Sequence, residues 1–158
     1  MKRRFFLTVL LIFALVLVLA GCAKKGESQT VLTRDPGIIE EIEPNDTEET
    51  AQLIVAGDTV NGSFSTEDDI DFYRFVLTET GIFTAWTESD IDIYTLDIIF
   101  LDDDGAWDDY ISGEYINIED YEGDKKVEAI LYPGTYLLEL EGYDEGNYVL
   151  KTEFEKLD

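Results

Sequence analysis

Alternation of apolar and polar residues is the feature that most restricts how this chain can fold. Tyr73, Phe75 and Leu77, for example, fall on one side of an extended segment. Such a period of two is typical of strands with one buried face and one wet face. Turn signals such as Pro133-Gly134 separate the alternating segments. Strands are predicted at residues 59–64, 72–78, 82–87, 94–101, 115–118, 127–132, 135–141 and 147–154.

About eight short strands without a long amphipathic helix predict an all-β domain, and the alternation favours an antiparallel β-sandwich. The chain is 45% hydrophobic and 13% aromatic, which is enough to build a core despite its high charge. One short helical turn is expected at residues 45–51, with Asn45 or Asp46 as its cap.

The N-terminus predicts a targeting segment rather than part of the fold. Lys2, Arg3 and Arg4 precede an apolar run at 5–19, which is shorter than the roughly 20 residues that a membrane-spanning helix needs. The run ends in Leu-Ala-Gly followed by Cys22, a pattern that resembles a bacterial lipobox. Residues 1–21 are therefore predicted to be a cleaved lipoprotein signal peptide, and lipidated Cys22 is predicted to hold the protein on a membrane. The alternative is an ordinary secretory signal with Cys22 incidental.

The segment after the cysteine predicts a flexible tether at 22–40, because it lacks sustained periodicity and contains Gly, Ser and Pro. Residues 41–156 are expected to form one domain. Ala23, not Asp, follows Cys22, so the inner-membrane retention signal of enteric bacteria is missing. The expected location is the cell envelope on the extracytoplasmic side, with an outer membrane or the cell surface favoured.

The charge of the chain excludes several classes of function. Removal of Lys2, Arg3 and Arg4 leaves 8 of the 11 basic residues against 36 acidic ones, for a formal net charge of −28. Such a chain repels phosphates, so nucleic acid is not an expected partner. The sequence has no histidine, which excludes Ser-His-Asp and Cys-His catalysis and makes zinc an unsuitable metal. A single cysteine excludes an internal disulfide.

Oxygen-bearing side chains recur at two places that could meet around a calcium ion. Calcium takes about 6–8 oxygen ligands, and without a cation this many close carboxylates would repel each other. The alternative is a solvated acidic surface. The candidate ligands are Glu41, Glu43, Asn45 and Asp46, then Ser63, Asp68 and Asp71, with Asp69 as a further candidate because it alternates with Asp71.

Several motifs resemble the bacterial pre-peptidase C-terminal (PPC) domain. The chain carries E-I-E-P-N-D at 41–46, V-N-G-S at 60–63 and D-D-I-D-F-Y-R-F at 68–75. It also carries L-Y-P-G-T-Y-L-L at 131–138 and N-Y-V-L at 147–150. The resemblance covers residues 41–154 and is weakest from about 89 to 126.

This resemblance implies a jelly-roll-like β-sandwich that is not itself catalytic. Relatives in clostridial collagenases bind calcium and collagen, whereas this chain shows no attached peptidase domain. Carried over position by position, the resemblance implies the calcium ligands Glu41, Glu43, Asn45, Asp46, Gly62 (through its carbonyl), Ser63, Asp68 and Asp71.

The function that these features predict is binding, by a lipoprotein with calcium as its cofactor and a protein or glycan as its partner. Trp107 lies among turn aspartates at 102–109 and is a candidate contact for that partner. One alternative is a structural or assembly lipoprotein of the envelope with no small ligand. Another is a carboxylate-based hydrolase, which predicts a deep pocket of converging acids away from residues 41–71.

Overall fold

The computed structural model describes residues 32–101, 107–108, 113–120 and 124–158. The predicted signal peptide at 1–21, Cys22, the start of the tether and the acidic turn at 102–106 lie outside the described residues, as does the side chain of Trp107. Within the described part, no helix is long and apolar enough to cross a membrane.

The described residues form eleven strands in two sheets, which confirms the predicted all-β sandwich. The six-stranded sheet contains, in spatial order, β1 (Ile38–Glu40), β3 (Thr59–Phe64), β11 (Gly146–Lys156), β5 (Gly81–Ser89), β9 (Lys125–Leu131) and β8 (Gly113–Asp120). The five-stranded sheet contains β2 (Gln52–Leu53), β4 (Ile70–Leu77), β10 (Gly134–Gly142), β6 (Ile93–Leu101) and β7 (Trp107–Asp108).

Both sheets are mixed, so the prediction of purely antiparallel pairing is wrong at two places. β1 pairs with β3 in parallel, and β2 pairs with β4 in parallel. The cause lies in the path of the chain, since its first four strands alternate between the two sheets. A strand that returns from the opposite sheet is free to enter in the same direction as its neighbour, whereas a tight hairpin imposes antiparallel pairing.

Each of the eight predicted strands corresponds to an observed strand, and three observed strands were missed. β1, β2 and β7 are two or three residues long, too short for alternation to be recognised. The one helical turn expected at 45–51 is observed in shortened form, and its cap is Thr47 rather than Asn45 or Asp46. Residues 47–50 form a turn closed by the Thr50 amide, which donates to the Thr47 carbonyl at 3.1 Å.

The predicted boundary between tether and domain is also wrong, because the sandwich begins before Glu41. Ile38–Glu40 form β1, paired from Ile38 with Thr59 to Glu40 with Asn61. Upstream of this strand, Arg34 forms an ion pair with Asp58, whose carboxylate is fully buried. The ordered part of the N-terminal segment therefore includes residues assigned above to the tether.

The core lies between the sheets and is rich in aromatic rings. Phe75 on β4 stacks on Phe83 of β5 at a centroid distance of 4.3 Å and on Tyr136 of β10 at 5.4 Å. Tyr73 and Leu138 also belong to this core, as the alternation predicts. A smaller cluster covers the outer face of the five-stranded sheet and consists of Phe72, Leu101 and Leu137. The central strands of the five-stranded sheet therefore carry buried apolar side chains on both faces.

Candidate metal centre

The fold brings the two acidic segments of the sequence together at one end of the sandwich. Glu41 follows β1 directly, and its amide donates to the Asn61 carbonyl on β3 at 2.9 Å. The carbonyl of Asn45 accepts from the Phe72 amide on β4 at 2.9 Å. The turn at 41–46 is thus tied to one strand in each sheet, and its side chains meet the Ser63 amide and the Asp71 carboxylate.

Three carboxylates form an inner group, consisting of Glu41, Glu43 and Asp71. One oxygen from each lies within 4.8 Å of the others, and Asp71 is fully buried. The pKa of Asp71 is raised to about 8, chiefly by burial and also by the charges of Glu41 and Asp69, while the hydrogen bond from Tyr148 opposes the rise. Negative charge is therefore strongly disfavoured here unless something positive offsets it.

Two tyrosine hydroxyls occupy the space between these carboxylates. Tyr73 and Tyr148 donate toward Oε1 of Glu41 at 2.8 and 2.9 Å. Tyr148 also lies 2.5 Å from Oδ2 of Asp71 and 2.5 Å from the Tyr73 hydroxyl. Four short oxygen–oxygen contacts therefore share two hydroxyl protons. With both carboxylates ionised, at least two of these contacts lack a proton, so full ionisation of the cluster requires a further positive charge.

Two buried acceptors at the inner group have no hydrogen-bond donor among the described residues. They are Oδ1 of Asn45 and Oδ1 of Asp71, and both residues are 0% exposed. The rest of the Asn45 amide is engaged, since its Nδ2 donates to Glu41 at 3.2 Å. An unsatisfied buried acceptor costs about 1–3 kcal/mol, more when it is charged, so it indicates an unfilled partner. An amide oxygen and a carboxylate oxygen are ligands that calcium prefers.

A second, outer group shares Glu43 with the inner one and adds Asp46 and Asp69. Their oxygens also lie within 4.8 Å of one another. The group lines an open depression of about 380 Å³, together with Ser65 and Asp68. Burial raises the pKa of Glu43, and the neighbouring carboxylates add to this rise, while the Asn45 amide opposes it. The outer group is more open to solvent than the inner one.

The structure places most of the predicted ligands at this centre. Asp68 lines the depression but lies outside both carboxylate groups, whereas Asp69 belongs to the outer group. Ser63 contributes its amide, which donates to Glu41 at 2.8 Å. A Cβ on Gly62 would lie 2.4 Å from the Tyr148 ring, so the observed role of this glycine is to make room for that tyrosine. Direct contact of Gly62, Ser63 or Asp68 with a metal remains a prediction.

Sequence reasoning missed the two tyrosines as part of this centre. Tyr73 and Tyr148 were assigned to strand faces from their alternation, and both rings are indeed buried. A buried tyrosine usually places its hydroxyl against a polar partner. That general rule, applied to two tyrosines next to acidic turns, was the available signal.

Neither a protein-family model nor a curated protein matches the chain. Among solved structures, the chain is similar to the pre-peptidase C-terminal domain of a collagenase from Bacillus anthracis, known from a 1.0 Å crystal structure. The similarity has a TM-score of 0.52 at 20% sequence identity and covers 72% of this chain and 100% of that domain. The two chains share a fold. This confirms the PPC-like β-sandwich that the motifs predict.

A separate set of carboxylates lies on the outer face of the five-stranded sheet. Glu139 on β10 pairs with Asp97 on β6, and Glu141 follows two residues later on the same face. Like charges directly opposite each other on a sheet are destabilising. The pKa of Glu139 is raised to about 7, chiefly by burial and also by the charges of Glu141 and Asp97. Sequence analysis did not identify this set.

We expect Glu139→Gln to raise the free energy of unfolding above that of the wild type, and by more at pH 8 than at pH 5. Because the folded-state pKa of Glu139 is raised, its stability contribution is complete below pH ~4.5 and is lost as the pH rises through about 7. Glutamine does not ionise and so avoids this loss. The difference in the free energy of unfolding between variant and wild type therefore grows with pH. Urea unfolding at both pH values and one calcium concentration measures it. Glu153→Gln, at an exposed position of β11, is the control. A difference for Glu139→Gln that is equal at both pH values contradicts the prediction.

Proposed function

We propose that this chain is a membrane-anchored, extracytoplasmic lipoprotein whose sandwich is a non-catalytic, calcium-stabilised domain that binds a protein or glycan. The observation that carries the calcium part is the pair of buried, unpartnered oxygens on Asn45 and Asp71. They lie at a cluster of carboxylates that hydroxyl protons alone do not satisfy. A divalent cation would satisfy both needs together.

Calcium would be held chiefly by the inner group and Asn45, with the outer group as a second set of oxygens. These residues come from the turn after β1 and from the start of β4. A cation bound there would join the N-terminal segment to both sheets and supply the missing positive charge. Its structural effect would be a stiff junction between the membrane-proximal segment and the sandwich.

The partner-binding part is supported by exposed aromatic side chains. Tyr94 on β6 and Tyr143 after β10 form a pair with ring centroids 4.6 Å apart, and Tyr143 is 62% exposed. Tyr94 also donates a hydrogen bond to Glu141. Exposed rings beside carboxylates are suited to stacking on a sugar ring or an aliphatic side chain while accepting its hydrogen bonds. We propose this pair, in addition to Trp107, as a contact surface.

The hydrolase alternative gains little from the acids outside residues 41–71, because Glu139 and Asp97 lie on a sheet face and line neither described cavity. It predicted a deep pocket of converging acids away from residues 41–71. The large depression found lies at that cluster itself and is open to solvent. A second described cavity is only about 30 Å³ and is lined mainly by apolar residues such as Leu53 and Ile54.

Calcium is expected to raise the melting temperature of the full-length protein in detergent relative to chelator. A ligand at 100 times its dissociation constant stabilises the native state by about 2.7 kcal/mol, or roughly 10 °C for a domain of this size. Asp71→Asn should lose most of the response to calcium, because it removes the buried carboxylate of the inner group. Asp97→Asn should keep the response to calcium, because Asp97 is exposed and belongs to neither carboxylate group of the candidate metal centre. Equal melting temperatures for the wild type with calcium and with chelator, and no heat of binding, would remove the calcium proposal.

Lipidation of Cys22 is tested by metabolic labelling with an alkyne analogue of palmitate. The wild type should incorporate the label, and Cys22→Ser should not, because the thiol is the acceptor. Ser28→Ala, six positions away in the same segment, should label as the wild type does. An unlabelled wild type that is nevertheless cleaved and exported would show that the signal is an ordinary secretory one.

Partner binding is tested by pull-down from solubilised membranes together with a glycan and matrix-protein array. We expect a calcium-dependent signal from one of the two, and we expect Tyr143→Ala to weaken it while Tyr132→Ala, at another exposed tyrosine, does not. Recovery of an envelope complex that is indifferent to Tyr143 and calcium would favour the assembly lipoprotein instead. The absence of any signal in both assays would overturn the binding proposal.

A further inference from the structure

The segment before β1 is fastened to the sandwich by a buried carboxylate. Asp58, just before β3, is 0% exposed. It accepts hydrogen bonds from both terminal nitrogens of Arg34, one of them at 2.7 Å, from the Gly37 amide at 2.9 Å and from the Val55 amide at 2.7 Å. Burial alone would raise the pKa of Asp58, but these donors outweigh it and hold the pKa below its usual value. We call Arg34, Gly37 and Asp58 the N-terminal clamp.

Backbone contacts next to the clamp extend it. The Thr59 amide donates to the Gly37 carbonyl at 2.9 Å, which continues the parallel pairing of β1 and β3. Gly57 has a φ of +107°, and a Cβ there would lie 3.0 Å from the side chain of Pro36. The glycine therefore permits the close approach of Pro36 that seats the segment. Positive φ is unfavourable for other residues at this position.

The clamp and the candidate metal centre hold opposite ends of one short strand. β1 has three residues and lies at the edge of its sheet, so the sheet supports it on one side only. The clamp engages Gly37 directly before this strand, and Glu41 enters the metal centre directly after it. Along the neighbouring β3, Asp58 and Ser63 are about 17 Å apart at 3.3–3.4 Å per residue. Three residues of edge pairing are weak by themselves, so both ends need a further attachment.

The register of β1 decides whether Glu41 can reach the centre. In a strand, a shift of one residue turns every side chain to the opposite face. Glu41 must point at the hydroxyls of Tyr73 and Tyr148 and at the Ser63 amide to make its observed contacts. A shift by one would place Glu40 or Ile42 there instead. Whatever fixes the register of β1 therefore also places the first ligands of the centre.

We propose that Arg34 and Asp58 are positioning residues for the calcium site, which they preorganise by fixing the register of β1. This inference rests on the calcium site proposed above. Because coupling between two sites is reciprocal, calcium in turn tightens the clamp. Neither residue is among the proposed ligands, and their effect is transmitted through the backbone, chiefly through β1.

Calcium titration of the full-length protein in detergent, with Arg34→Met, tests the proposal. We expect the calcium dissociation constant to rise about fivefold or more. Loss of a cation by itself makes the protein more negative and would tighten calcium binding, so weakening cannot come from overall charge. Lys156→Met, which breaks an exposed pair with Glu79, removes the same charge and should stay within about twofold of the wild type. Arg34→Lys, which keeps the charge but not the two-pronged bond, should fall between.

Amide hydrogen exchange of the wild type provides a second readout that needs no variant. Chelation should speed exchange at Gly37 and Thr59, the amides that report on the clamp, more than at Leu157, whose amide donates to Thr80 at 3.1 Å. Suppose that the wild type binds calcium. Unchanged affinity in Arg34→Met, or equal exchange at Gly37 and Thr59 with and without calcium, then overturns this inference and leaves the proposed function intact. Wild-type protein that binds no calcium overturns both.

Discussion

The structure depends on how it accommodates negative charge at the seam between its N-terminal segment and its two sheets. Glu41 and Asp71 lie within reach of each other, and the hydroxyls of Tyr73 and Tyr148 fill the space between them. Hydroxyl donors reduce the repulsion but carry no charge, so the deficit remains at the centre of the cluster. The oxygens of Asn45 and Asp71 that find no donor mark where that deficit is concentrated. The cation that we propose would account for these observations together.

The sandwich supplies the geometry that this seam requires. The first four strands alternate between the sheets, so β1 and β4 reach the same end of the molecule from opposite layers. The turn between them closes that end, with the Asn45 carbonyl accepting from Phe72. At the other end of β1, Asp58 collects donors from Arg34 and from backbone amides. The N-terminal segment is therefore part of the domain, and its attachment and the metal centre belong to one arrangement.

The eight longer strands could be predicted from the sequence, because burial of one face of a strand leaves an alternation of apolar and polar residues with a period of two. The strands β1, β2 and β7 are two or three residues long, which is too short to show this period. Spacing indicated which acidic segments meet but did not distinguish Asp68 from Asp69. Asp69 is buried and accepts from the Ser65 amide, whereas Asp68 is exposed. The tyrosine hydroxyls and the Arg34–Asp58 pair join residues far apart in the chain, and no local pattern encodes them.

A crystal structure of the protein grown in calcium, with anomalous scattering used to identify the ion, tests the central claim most directly. We expect a calcium ion at about 2.3–2.6 Å from Oδ1 of Asn45 and Oδ1 of Asp71, with Glu41 or Glu43 completing its shell. In that structure the two oxygens that now lack donors would both be satisfied by the metal. Ordered water on these oxygens, with no anomalous peak at the centre in saturating calcium, would contradict the account.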